Sequence, residues 1–323
     1  MIPYAAKYRH QETGNKCIIL YDVHVDSEDT LLSKQQLNDL INNSKKLTSC
    51  AFIIEDMFSY DGSHEDLKTV LPIIFEALQK GARLFPNNNL IDYSALYGLY
   101  NHCQRESITV INSEFRHAYL LNARYAAFGM MPEALGAFER LLQACTDIFT
   151  QLQDYNDTPA LNTYYKKVIA SISPSLALLN VQFRKQITTE EKIIFLEAFW
   201  NVMVQLLDAY IIHLWYTHSQ TYKTVAVYVG GEHAAALEKL MEPMGYVRIA
   251  HQGEKFIVDY VKNYRHHVHH LQIKPIVGMS GIFTIFENMV TTWKLRRLHK
   301  HCAKTYHTAI TKAAAVNLEI IFS

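Results

Sequence analysis

Two histidines and a glutamate stand where their side chains could jointly activate water. His24 lies in DVHVD (22–26), Glu55 in AFIIED (51–56) and His233 in GGEH (230–233). A neutral imidazole accepts a proton from water, and a nearby carboxylate orients that water or shuttles its proton. The same groups are donors for a divalent ion, which would lower the pKa of a bound water. Either route gives a nucleophile for a carbonyl carbon, so the implied chemistry is hydrolysis. Taken singly, each residue has a structural reading too. A histidine past a strand can be a hydrogen-bonded scaffold residue, and Glu55 can cap a helix. Their joint placement is the more informative signal.

The elements that must position these residues follow from the apolar patterning. Segment 16–21 (KCIILY) and segment 51–54 (AFII) are short β-branched or apolar runs that end in polar residues, as buried strands do. Leu31, Leu32, Leu37, Leu40, Ile41 and Leu47 recur at helical spacing between them, with Ser27 as N-cap. A second helix is expected over 65–80, stopped by Gly81, with further short strands at 82–85 and 108–111. This β-α-β-α-β rhythm implies right-handed crossovers and a mostly parallel sheet flanked by helices. From 113 to 221 strand signals nearly vanish and apolar-periodic segments take over, which reads as a large helical insertion. Strand chemistry returns at 224–229 (TVAVYV), followed by Gly230, Gly231 and a helix that Gly245 ends. One more short strand fits 246–250. The expectation is a single α/β domain over 1–323, with the insertion at 113–221 and a helical C-terminal extension at 256–323.

The three ionisable clusters all follow predicted strands. In a parallel sheet, ligands bind in the crevice outside the carboxyl ends of the strands. Gly230 and Gly231 allow a tight turn that places His233 in the first turn of the next helix, where the positive helix end favours a neutral imidazole.

This joint pattern resembles the erythromycin esterase, ChaN and TraB/TIKI-like superfamily. The order is strand–polar–His, strand–Glu about 30 residues later, a helical insertion, then strand–Gly–x–x–His–helix. VAVYVGGEHAAALEKLMEPMGY (225–246) is similar to the family's late strand, G-x-x-H turn and helix, and 16–24 and 51–55 fit its earlier motifs. The resemblance implies an α/β sheet with inserted helices and a cleft holding His24, Glu55 and His233 as catalytic residues. Asp22, Asp26, Asp56, Gly230 and Gly231 would line the substrate side, with Arg116 or Arg83 in the role of a family arginine and Arg116 the preferred choice. The superfamily includes esterases, metal-dependent peptidases and haem-binding proteins, so a divalent metal is an option and no cofactor is assigned. The family usually places glycine three residues before the first histidine; here that position is Tyr21. That departure favours a second reading, a degenerate member that binds a ligand or partner without catalysis.

Other constellations have plainer explanations. Asp22, His24 and Asp26 alternate along an extended segment and could ligate a metal, as in metal-dependent barrels, but the helical middle leaves too few strand–helix units for a barrel. His266, His267, His269 and His270 form the densest histidine cluster and read as an exposed polar segment with adventitious metal affinity. Segment 294–304 (KLRRLHKHCAK) reads as a solvated helix face. Glu197, Asn201, Gln205 and Asp208 form a narrow polar stripe on an otherwise apolar helix, read as its solvent-facing edge, with the mouth of the cleft as the other option.

Composition narrows the classes. With 31 basic and 31 acidic residues among 323, no net field attracts nucleic acid or an anionic membrane, so a small-molecule or peptide substrate is expected instead. An apolar fraction of 49% can build a large core, which excludes global disorder. The most apolar stretch, 199–216, is interrupted by polar residues, so no membrane span is expected. The five cysteines form no C-x-x-C pair, which argues against a zinc framework; Cys17 and Cys50 are expected buried in strands. Without an apolar leader at the N-terminus, the sequence reads as cytoplasmic.

Overall fold

A strand with five consecutive apolar residues, 225–229, takes the centre of the sheet. In a computed structural model, which describes residues 2, 4–22, 30–47, 49–55, 103, 106–115, 135–155, 158–182, 189–253, 255 and 316–323, β5 (Thr224–Gly230) is buried at every position. It pairs in parallel with β2 (Lys16–Asp22) on one side and with β3 (Cys50–Ile54) on the other. Beyond β3 lies β4 (Val110–Asn112), also parallel. Beyond β2 the direction reverses: β1 (Tyr4–His10) pairs antiparallel with β2, and β6 (Tyr246–Gly253) antiparallel with β1. The described sheet therefore runs β4-β3-β5-β2-β1-β6, mixed but parallel in three of its five pairings.

Side-chain alternation sends successive residues of each strand into two separate cores. Ala6, Tyr8, Cys17, Ile19, Tyr21, Val225, Val227 and Val229 face one layer of helices. That layer comprises α2 (Leu135–Gln153), α3 (Pro159–Gln182), α4 (Thr189–Ser219) and α5 (Gly231–Met241). Ala5, Ile18, Leu20, Phe52, Ile54, Ala226 and Tyr228 face the other side. There Leu40 and Ile41 of α1 (Thr30–Lys45) meet Leu318, Ile321 and Phe322 of α6 (Leu318–Phe322). A central strand covered on both faces must be apolar on both, which is why TVAVYVG shows no alternation. The architecture is α/β, with helices on both faces of a mixed sheet.

Strand β1 is an element the sequence reading did not assign. Its tyrosines alternate into the α5 side of the core, while the turn after it contains Gly14 at φ 72°, a left-handed conformation suited to glycine. Gly245 likewise takes φ 80° and ends the turn that follows α5; the helix itself stops at Met241, short of the Gly245 boundary expected from the sequence. Helices α2, α3 and α4 lie between β4 and β5 in the chain. The expected helix at 65–80, the strand at 82–85 and most of the 256–323 extension fall outside the described residues. So do the 266–270 histidine cluster and the 294–304 basic segment. Among the described residues no helix is long and apolar enough to cross a membrane.

Candidate functional site

Strand order explains how Glu55 and His233 meet across the sequence. The chain passes from β2 through α1, on one face, to β3, leaving a gap in the sheet that β5 later fills. Helix α5 then leaves β5 toward the opposite face. Connections that diverge from adjacent carboxyl ends open a crevice between them. Register sets Asp22 opposite Gly230, and the Glu55 backbone N–H donates to the Tyr228 carbonyl at 3.2 Å.

His233 occupies the first turn of α5, with 8% of its surface exposed. Its Nδ1 lies 2.6 Å from Oδ1 of Asp208, on α4. Its Nε2 lies 3.8 Å from Oε1 of Glu55. The second Glu55 oxygen, Oε2, accepts the Gly230 backbone N–H at 2.7 Å, so the turn that launches α5 also fixes the carboxylate. An ionised carboxylate only accepts, so the short Asp208 contact requires the proton on Nδ1. In the neutral imidazole that leaves the Nε2 lone pair on the Glu55 side. The 3.8 Å separation is too long for a direct hydrogen bond, yet a water lying beside the pair can contact both atoms.

Two further carboxylates lie along the same edge of the sheet. The Tyr228 hydroxyl donates to Oδ1 of Asp22 at 3.0 Å, and both residues are 3% exposed. Burial, then the charges of Asp22 and Glu55 together with the Asp22 hydrogen bond, hold the Tyr228 phenol far above its usual pKa, so it remains a donor. Glu114, buried at 2% exposure, follows Ser113 at the end of β4, and the backbone N–H and hydroxyl of Ser113 both donate to the Ile54 carbonyl beside Glu55. The carboxyl edge of the parallel strands thus carries Asp22, Glu55 and Glu114, with His233 and Asp208 above them on α5 and α4. Tyr164 of α3 also borders the site, its phenol pKa raised by burial and then by the Asp208 charge.

The polar stripe on α4 is a correction to its reading as a solvent edge. Asn201, Gln205 and Asp208 are half-buried. Asn201 donates to Ser175 Oγ of α3 at 3.2 Å, Gln205 donates to Asn201, and Asp208 meets His233. The alternative reading, a stripe reaching the cleft, describes Asp208 correctly. Glu114 escapes a reading of the sequence because it stands two residues past the end of β4, whereas Glu55 directly follows β3. Tyr21 is wholly buried and donates its hydroxyl to Glu238 of α5. Cys17 is buried as expected and Cys50 is half-buried, its thiol pushed up to about 11 by burial.

His24, Asp26, Asp56 and Arg116 lie outside the described residues, as does Arg83. Gly230 and Gly231 lie at the junction of β5 and α5, next to Glu55 and His233. Among the described residues no group of three or more His, Cys, Asp or Glu side chains is arranged to hold a metal ion. A cavity of about 400 Å³ opens at the other end of the sheet, lined by His10, Trp215, Tyr216 and Tyr246; no candidate catalytic residue borders it. No family model, curated protein or solved structure matches this chain.

Proposed function

We propose that the carboxyl edge of the parallel strands is a hydrolytic site acting on an ester, lactone or amide. The observation that carries this reading is the line Asp208–His233–Glu55, in which a carboxylate fixes one imidazole nitrogen and a second carboxylate faces the other. Asp208 acts as the positioning residue. It holds the tautomer in which Nε2 accepts a proton from water, and it stabilises the imidazolium that results. Glu55, fixed by the Gly230 N–H, orients the attacking water; the imidazolium then gives the proton it has taken to the departing alcohol or amine as the acyl bond breaks. The Tyr228 phenol, kept protonated, keeps Asp22 in place beside the reacting centre. The resemblance to the erythromycin esterase-like superfamily supports the same reaction class and adds His24 as a second base or, with His233, a metal ligand.

The test is a panel of activated esters, lactones and peptides, assayed with and without added zinc or manganese, on the wild type and on His233→Ala. Turnover that falls at least about 100-fold in the variant, with the fold retained, supports the reading. Turnover unchanged in the variant, or absent from the wild type across the panel, overturns it. The second reading, a binding module without catalysis, draws on Tyr21, whose ring fills the place where the family has glycine. It is favoured by the inactive panel.

A further inference from the structure

Helix α5 carries a second carboxylate, and its surroundings differ in kind from those of His233. Glu238 has a side chain only 10% exposed. Its Oε1 accepts the Tyr8 hydroxyl at 2.5 Å, and its Oε2 accepts both the Tyr21 hydroxyl and the ammonium of Lys255. Tyr4 packs edge-on against Tyr21, with ring centroids 5.1 Å apart at 78°. The Lys255 nitrogen sits 5.9 Å from the Tyr4 centroid and 5.6 Å from that of Tyr21. Ring faces within about 6 Å attract a cation through their quadrupole, most strongly where water is excluded. Arg248 donates to the Tyr4 hydroxyl at 3.4 Å, on the outer side of the same ring.

The two halves of this arrangement differ in burial. Tyr4, Tyr8 and Tyr21 are 3%, 6% and 0% exposed and belong to the core of β1 and β2. The Lys255 side chain is 43% exposed and lies just past the end of β6. The receptor is therefore built into the core between the sheet and α5, whereas its occupant reaches in from the surface. A carboxylate, two phenol hydroxyls that both donate to it, and two ring faces leave one unmet requirement: a cation with N–H donors.

We propose that Tyr4, Tyr8, Tyr21 and Glu238 form a binding site for a primary alkylammonium group, which Lys255 fills as a tethered competitor. A primary amine fits better than a quaternary one, because the bond to Oε2 of Glu238 needs an N–H. The tether lowers the apparent affinity for an external amine in proportion to the fraction of molecules in which Lys255 has withdrawn. The ligand class includes free small amines and lysine side chains of a polypeptide.

Lys255→Ala vacates the seat while leaving the receptor intact, and n-propylammonium matches the atoms removed. Calorimetric titration and thermal melting should show saturable binding to Lys255→Ala at least about 10-fold tighter than to the wild type, with tetramethylammonium at least about 10-fold weaker. Glu238→Gln in the Lys255→Ala background should abolish it. Equal affinity in all three proteins, or no saturable binding to a folded Lys255→Ala, overturns the proposal. Should that variant fail to fold, tyrosine ring resonances of the wild type are followed against n-propylammonium; saturable shifts support the site, and their absence overturns it. A blocked lysine peptide titrated in parallel separates the sources. Affinity above that of n-propylammonium assigns a polypeptide lysine, and equal affinity assigns a small amine.

Discussion

Two carboxylate clusters share helix α5, five residues apart, and they use their carboxylates in opposite ways. Around Glu238 the hydrogen-bond partners are donors: Tyr8, Tyr21 and Lys255 all donate to one carboxylate. Around His233 carboxylates stand on two sides, Asp208 at 2.6 Å and Glu55 at 3.8 Å. A neutral imidazole has one N–H and so can satisfy only one of them. The first arrangement fixes a charge in place. The second leaves a proton with two places to go, which is the condition for acid–base chemistry.

That contrast predicts which variants harm activity and which harm stability. The largest effect expected is on turnover: His233→Ala should lower hydrolysis by about 1000-fold while shifting the urea midpoint less than the Glu238 variant below. Glu238→Leu should do the reverse. It leaves the buried Tyr8 and Tyr21 hydroxyls without their acceptor, and urea denaturation should register a loss of about 3 kcal/mol. Asp208→Asn should lower kcat by about 100-fold with little change in KM, because an amide can donate to Nδ1 and so favours the wrong tautomer.

A smaller effect should appear in the pH dependence of stability. Burial pushes the Glu238 carboxyl upward, but the hydrogen bonds from Lys255, Tyr21 and Tyr8 outweigh it and leave the group below its ordinary 4.5. A depressed pKa contributes stability that is fully present above the unfolded value and is lost as pH falls through the folded one. Melting curves from pH 7 to 3 should therefore drop below about 4.5, and Glu238→Gln should flatten that drop. At the other extreme, burial and then the bond to Glu238 raise the phenols of Tyr8 and Tyr21. Their contribution is present below pH 10 and lost above it. The smallest effect belongs to Arg248→Ala. Its bond to Tyr4 is long and its side chain exposed, so urea denaturation should register a change of no more than about 0.5 kcal/mol.

The sheet was more legible in the sequence than the site. TVAVYVG and AFII announce themselves because burial on both faces demands apolar residues throughout. Strand β1 escaped because Lys7 and Arg9 interrupt its apolar run, although Tyr4, Ala6 and Tyr8 keep period-two alternation into the core. The convergence of Glu55 with His233 followed from the rule that ligands lie beyond strand carboxyl ends. The contribution of Asp208 did not, because a polar stripe on a helix looks the same whether it faces solvent or a polar crevice. Glu238 was invisible for a related reason. A glutamate in a helix reads as surface, and only the fold puts Tyr8, 230 residues away, within hydrogen-bond distance.

The placement of β5 has a consequence for how the chain acquires its structure. During synthesis, β1, β2, β3 and β4 emerge long before the strand that joins them; Glu55 and Gly230 are 175 residues apart. Until β5 arrives, β2 and β3 each expose an unpaired apolar edge, the kind of surface that recruits other chains. Loop-closure entropy makes so distant a pairing slow. A ribosome-bound chain ending before residue 224 should therefore depend on chaperones, and the proposed site around Glu55 and His233 should form only when the central strand is inserted.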